Sequence, residues 1–116
     1  AVNTLGPGMA INIEARQPVL DFKVGGVSGP ALRPIAVRCV YDIYESVSIP
    51  IVGIGGISTG LHAIEMIMAG ASAVGIGTGV YSRGIDVFQK VCDEMAEWLG
   101  RHGVKRISEL VGAAHD

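Results

Sequence analysis

Two short apolar runs that end in glycines hold the residues best suited to chemistry. One reads Ile49-Pro50-Ile51-Val52-Gly53-Ile54-Gly55-Gly56-Ile57, the other Ala73-Val74-Gly75-Ile76-Gly77-Thr78-Gly79. A glycine at a strand's carboxyl end lets backbone N–H groups approach a ligand without a Cβ in the way. Two such ends side by side form a cradle for an anion, and a helix N-terminus beyond them adds a positive dipole end. Gly55 and Gly77 stand 22 positions apart, the length of one strand–helix unit. The pattern predicts a binder of a phosphorylated cofactor or substrate.

Other candidates are weaker. Asn3 and Thr4 are small polar groups at the end of an expected strand. An asparagine there can read a planar amide or carboxylate, although Asn-Thr also serves simply to turn a chain. Lys23 precedes the glycine-rich stretch Gly25-Gly26-Val27-Ser28-Gly29-Pro30 and reads as a solvated surface cation. No Ser/His/Asp set and no close carboxylate pair falls in a strand-end loop. Chemistry at this site therefore calls for a cofactor or for an acid–base residue outside these 116 positions. Cys39 and Cys92 lack metal or redox spacing and read as buried reduced thiols. His62, His102 and His115 are scattered without ligand spacing, so no metal is assigned.

The elements that must position these residues follow from periodicity. Val2 reads as a strand tail, and Gly6-Pro7-Gly8 as a turn. Weak extended runs at 9–13 and 18–21 suggest a small hairpin. A helix is expected over 30–47, with Leu32, Ile35, Ala36, Cys39, Val40, Ile43 and Val47 on one face. Ser28 or Gly29 caps it and Pro30 suits its first turn. Residues 50–54 form an apolar run expected of a parallel strand buried on both faces. Ser58 or Thr59 caps a helix over 60–69 that buries Leu61, Ile64, Ile67 and Met68. A second buried strand covers 73–76, where Gly75 signals close backbone approach. The last long helix spans 86–99, with Val87, Phe88, Val91, Cys92, Met95, Trp98 and Leu99 inside, and a final turn is expected at 108–111. Alternating strands and helices predict a parallel α/β sheet with right-handed crossovers. Ligands bind such sheets at the strands' carboxyl ends, so Asn3, Thr4, Gly29, Gly55, Gly56, Gly77 and Thr78 should converge there.

Apolar residues make up 49% of the chain, charged residues 17%, and the net charge is −2. That composition suits a core-rich α/β protein and gives no basic footprint for nucleic acid. No run is long enough to cross a bilayer, and no signal-peptide pattern is present, so a cytoplasmic protein is expected. We expect one domain over 1–116, forming the carboxyl-terminal part of a (β/α)8 barrel, since a whole barrel needs about 250 residues. The sparse surface charge fits a segment that packs against more protein; a complete small α/β domain is the alternative.

The motifs Asn3-Thr4-Leu5, Gly25-Gly26-Val27-Ser28-Gly29-Pro30-Ala31, Ile49 to Gly56, Ala69-Gly70-Ala71-Ser72-Ala73-Val74 and Gly77-Thr78 resemble the dihydroorotate dehydrogenase family. Their order resembles above all the catalytic subunit of its NAD-linked two-subunit class. Gly6-Pro7-Gly8 departs from the family as a turn one residue longer than usual. The resemblance implies an FMN-dependent TIM barrel that oxidises dihydroorotate to orotate in pyrimidine synthesis. It implies FMN contacts at Val2, Gly29, Gly55, Gly56, Gly77 and Thr78, the last four mostly around the phosphate, and orotate contacts at Asn3 and Thr4. It also implies a partner electron-transfer subunit carrying FAD and an iron–sulfur cluster and using NAD. The family's catalytic cysteine and flavin-contacting lysine belong to earlier segments, so the isolated chain is expected to be inactive and, with open strand edges, to form a homo-oligomer. Alternatives are a related FMN barrel of the dihydropyrimidine dehydrogenase or dihydrouridine synthase type, or a non-catalytic phosphate-binding or assembly module.

Overall fold

The structure is a computed structural model that describes residues 1–2 and 4–115. Its centre is a parallel strand pair, β5 (Val52–Ile54) and β6 (Ala73–Gly75), joined by helix α2 (Gly60–Met68). Three more helices pack around this unit: α1 (Arg33–Tyr44), α3 (Gly79–Arg83) and α4 (Val87–His102). The amino-terminal part forms antiparallel pairs. Strand β1 (Leu5–Gly8) joins β4 (Gly25–Val27), and β2 (Ile11–Asn12) joins β3 (Gln17–Pro18) in a hairpin.

Ala1 lies against β5 as an incipient third parallel strand. Its amino group donates to the Val52 carbonyl, and its own carbonyl accepts from the Ile54 amide at 3.0 Å, the pattern of a parallel bridge. The expected first strand ends there, because Val2 takes a left-handed φ of 52°. Two other expectations need correction. The stretch 25–27 is a strand rather than loop, and 5–8 a strand rather than a turn. A short helix, α3, follows Thr78 where none was expected.

The core explains why these helices form. Leu32, Ala36, Val40, Met66, Val87 and Val91 are almost wholly buried, each large one contributing about 1.5–3 kcal/mol through removal of apolar surface from water. Leu32, Ala36 and Val40 recur every four positions, which places them on one stripe of the 30–44 segment. Thr59 caps α2 by accepting from the His62 amide at 3.3 Å, and Gly103 ends α4 in the left-handed conformation. The carboxyl-terminal residues fold back onto α2: Gly112 and Ala114 donate to the Ile67 and Met68 carbonyls, and His115 stacks on Tyr41 at 3.8 Å.

The predicted apolar faces are only half covered. Gly53 and Val74 look towards α2, and a Cβ on Gly53 would lie 2.3 Å from Met66. Val52 on the opposite face is 49% exposed, so the strand is buried on one face and not on both. Ile35, Ile43 and Val47 of the 30–47 stripe are exposed, as are Leu61 and Phe88. Ala63 and Met66 fill the core positions of α2 instead of Leu61. Cys39 is half-buried and Cys92 exposed, which corrects the reading of both as buried thiols.

Candidate functional site: a glycine-walled cradle

The loops after β5 and β6 meet. Gly55, Gly56, Gly77 and Thr78 line one cavity of about 270 Å³ together with Ser28, Ile54, Ile57, Gly75 and Tyr81. A second cavity of about 210 Å³ shares Gly56, Ile57, Thr78 and Tyr81 and adds Gly29, Pro30 and Ser58. Five residues singled out in the sequence thus come together: Gly29, Gly55, Gly56, Gly77 and Thr78. Val2 and Thr4 line neither cavity; Val2 packs against the core, and Thr4 sits beside Gly26. Asn3 lies outside the described residues.

The glycines do two different jobs. Gly55 and Gly56 have φ of 142° and 69°, in the region that glycine alone enters freely. A Cβ on Gly55 would stand 2.6 Å from Ala36, and one on Gly56 would stand 2.8 Å from the Gly29 carbonyl oxygen and from Arg33. These two residues let α1 and the loop before it close onto the end of β5. Gly77 differs, since a Cβ there would meet nothing within 4 Å and would point into open space.

The lining suits an anion. No carboxylate among the described residues lines either cavity. Among the described residues, the backbone N–H groups of Gly56, Gly77 and Thr78 donate to no acceptor in the turns, loops and caps. Amides that no described residue engages are open to an acceptor from solvent or ligand. The N-terminus of α2 makes no such offer, because the Glu94 carboxylate accepts from the Gly60 amide at 2.6 Å. The expected dipole contribution of that helix is therefore taken up by a resident acid.

Two polar clusters, unforeseen from the sequence, hold the loop between β5 and α2. On one side Arg83 donates to the Ser58 carbonyl at 2.7 Å and pairs with Glu94 at 2.5 Å. The Arg83 guanidinium, and after it the Gly60 amide, hold the Glu94 carboxyl below the usual carboxylate range against the opposing effect of burial. On the other side His62 Nε2 lies 2.7 Å from Arg33 Nη1, and Arg33 Nε donates to Glu65 at 2.9 Å. Burial first, then the Arg33 charge, push the His62 imidazolium towards its neutral form. The only signal in the sequence was the four-residue spacing of Ser58 and His62 on either side of the cap.

A pH prediction arises from Glu94. Its folded pKa is lowered, so its contribution is present above the ordinary carboxylate range and is lost as pH falls through the folded value. Glu94→Gln should cost about 1–2 kcal/mol at pH 7, allowing for its partial exposure. The gap in melting temperature between the wild type and this variant should close below about pH 4, as followed by circular dichroism. A gap that stays constant down to pH 3 would exclude the clamp as its origin.

Comparison with known proteins identifies the family. The family model described as "Dihydroorotate dehydrogenase" matches residues 1–99. The dihydroorotate dehydrogenase B (NAD(+)) catalytic subunit of Methanocaldococcus jannaschii is 51% identical over 116 residues, covering 100% of this chain and 37% of that protein. Its counterpart from Methanothermobacter thermautotrophicus is 47% identical over 115 residues, covering 99% and 38%. The ligand-free crystal structure of DHODH from Eimeria tenella superposes with a TM-score of 0.78 at 31% identity, over 97% of this chain and 32% of that one. The ferulenol complex of DHODH from the same organism gives 0.76 at 33% identity, over 93% and 30%. The chain thus spans less than two-fifths of the curated relatives it matches. With the family model covering most of its length, the chain belongs to the dihydroorotate dehydrogenase family.

Proposed function

We propose that this chain forms the phosphate end of a flavin site within a (β/α)8 barrel that oxidises dihydroorotate to orotate in pyrimidine synthesis. The observation that carries the reading is the meeting of Gly55, Gly56, Gly77 and Thr78 around one cavity free of carboxylates. In this reading the amides of Gly56, Gly77 and Thr78 and the Thr78 hydroxyl hold the FMN phosphate, with Gly55 letting α1 close behind it. Gly29 and Val2 would make further contacts with FMN, and Asn3 and Thr4 would hold the substrate's planar carboxylate and amide edges. When bound, FMN accepts the two electrons removed from dihydroorotate.

The chain's own residues bind and orient, and none of those lining the two cavities is placed to take a proton. Among the described residues, Ser28, Ser58, Thr78, Tyr81 and Ser82 are the lining side chains with a hydroxyl proton, and His62 beside Ser58 lines neither cavity. Removal of a proton from carbon needs a base within hydrogen-bond reach. A cysteine base and a flavin-contacting lysine belong to barrel segments outside these 116 residues. A partner electron-transfer subunit carrying FAD and an iron–sulfur cluster would link this site to NAD in the cytoplasm. The M. jannaschii relative is itself a catalytic subunit of the NAD(+) type, which supports that choice.

Dihydroorotate-dependent dye reduction tests the division of labour. The purified 116-residue chain with added FMN should show none, and measurable turnover would overturn it. The half-covered faces and the outer edge of β6 also lead us to propose self-association of the isolated chain. Light scattering at high concentration should show more than the 12.0 kDa monomer, and a strictly monomeric mass would contradict it.

A further inference from the structure

We infer that Ser58 is an additional anion-binding hydroxyl of the cradle, aimed by a relay that runs from Arg33 through His62. The inference rests on the phosphate reading above and adds a side-chain donor to a site otherwise built from backbone.

The geometry sets the direction of each proton. A guanidinium only donates, so the 2.7 Å contact makes His62 Nε2 an acceptor. A neutral imidazole that accepts at Nε2 carries its proton on Nδ1. That Nδ1 lies 3.3 Å from Ser58 Oγ, which must then accept. The Ser58 amide also points at Nδ1, at 3.4 Å, a geometry that favours the other tautomer; the charge-assisted 2.7 Å contact with Arg33 is much the shorter and sets the proton against it. With its oxygen accepting from His62, the Ser58 hydroxyl keeps its own hydrogen to give elsewhere. Ser58 lines the second cavity beside Gly29, Gly56 and Thr78. A hydroxyl hydrogen available at that wall suits an anionic oxygen, for which a donated bond is strongest.

The loop carrying Ser58 is held from both sides. Its carbonyl accepts from Arg83, and Thr59 next to it caps α2. The charged groups that face His62 are Arg33, Glu65, Glu94 and Arg83. Arg33 is itself fixed by Glu65, which keeps its Nη1 on His62. Ser58 is thus a binding residue, while His62 and Arg33 are positioning residues that act through it.

The test is a titration of the ¹⁵N-labelled 116-residue chain with FMN and, separately, with riboflavin, which lacks the phosphate. For Ser58→Ala we expect FMN affinity to drop about tenfold, the loss of one charge-assisted hydrogen bond, with riboflavin affinity unchanged. Ser58→Thr should restore FMN binding to within about threefold. His62→Phe should weaken FMN but not riboflavin. The imidazole ¹⁵N shifts of His62 at pH 7.5 should report a protonated Nδ1 and a bare Nε2, a readout that a merely structural histidine would not fix. FMN affinity unchanged in Ser58→Ala, equal loss of both ligands, or the opposite tautomer would overturn the inference while leaving the cradle in place. A wild-type chain in which FMN perturbs no amide of residues 55–57 or 77–79 would overturn the cradle, and this inference with it.

Discussion

Gly56→Ala should lower the melting temperature by roughly 10–20 °C. Two costs add at this position. Alanine in the left-handed region loses about 1–2 kcal/mol, and φ here is 69°. The new Cβ would also press on the Gly29 carbonyl oxygen at 2.8 Å and the Arg33 amide nitrogen at 3.0 Å. Both are backbone atoms that cannot swing aside, and such overpacking costs about 1–3 kcal/mol. The sum, about 3 kcal/mol, is a large part of the stability of a chain this size. Thermal unfolding by circular dichroism measures it. A variant that melts within 3 °C of the wild type would show that the junction of α1 with β5 is looser than its geometry states.

Gly77→Ala should do the reverse. Nothing stands within 4 Å of the added Cβ, and φ at this residue lies outside the left-handed region. Stability should therefore change by no more than about 0.5 kcal/mol, as for a surface substitution. The methyl group would instead enter open space at the wall of the cavity that Gly77 lines. FMN affinity should fall about tenfold or more, since displaced amide–phosphate bonds are charge-assisted. A variant that loses stability as well as binding would place Gly77 in the scaffold and not at its opening. Together the two substitutions separate the glycines that build the cradle from the one that keeps it open.

The meeting of the two loops was legible in the sequence because two glycine-ended apolar strands stand one strand–helix unit apart, and Gly55, Gly56, Gly77 and Thr78 do line one cavity. The long helices were equally legible, since Leu32, Ala36 and Val40 or Val87 and Val91 carry the 3.6-residue period in their spacing. The strands at 25–27 and 5–8 were not. Gly25, Gly26, Gly6 and Gly8 have no side chains to alternate, so a period-two signal cannot appear there. Helix α3 hides for a related reason: it has five residues and no side-chain cap. Cys92 was misplaced because the inner stripe of α4 is narrower than its apolar residues suggest, with Phe88 exposed beside it. The clusters that steady the cradle join positions far apart in the chain: Arg33 with His62 and Glu65, Arg83 with Ser58 and Glu94. Charged residues on separate helix faces carry no local sign of which will pair. Family resemblance supplied the flavin and the substrate, neither of which the spacing of glycines distinguishes from any other phosphate ester.

The most direct measurement is the ¹H–¹⁵N spectrum of the wild-type chain titrated with FMN and with riboflavin. FMN should shift the amides of Gly55, Gly56, Gly77 and Thr78 together along one saturable curve, while riboflavin leaves them near their free positions. Shifts confined to one of the two loops, or equal responses to both compounds, would contradict a phosphate cradle formed where β5 and β6 end.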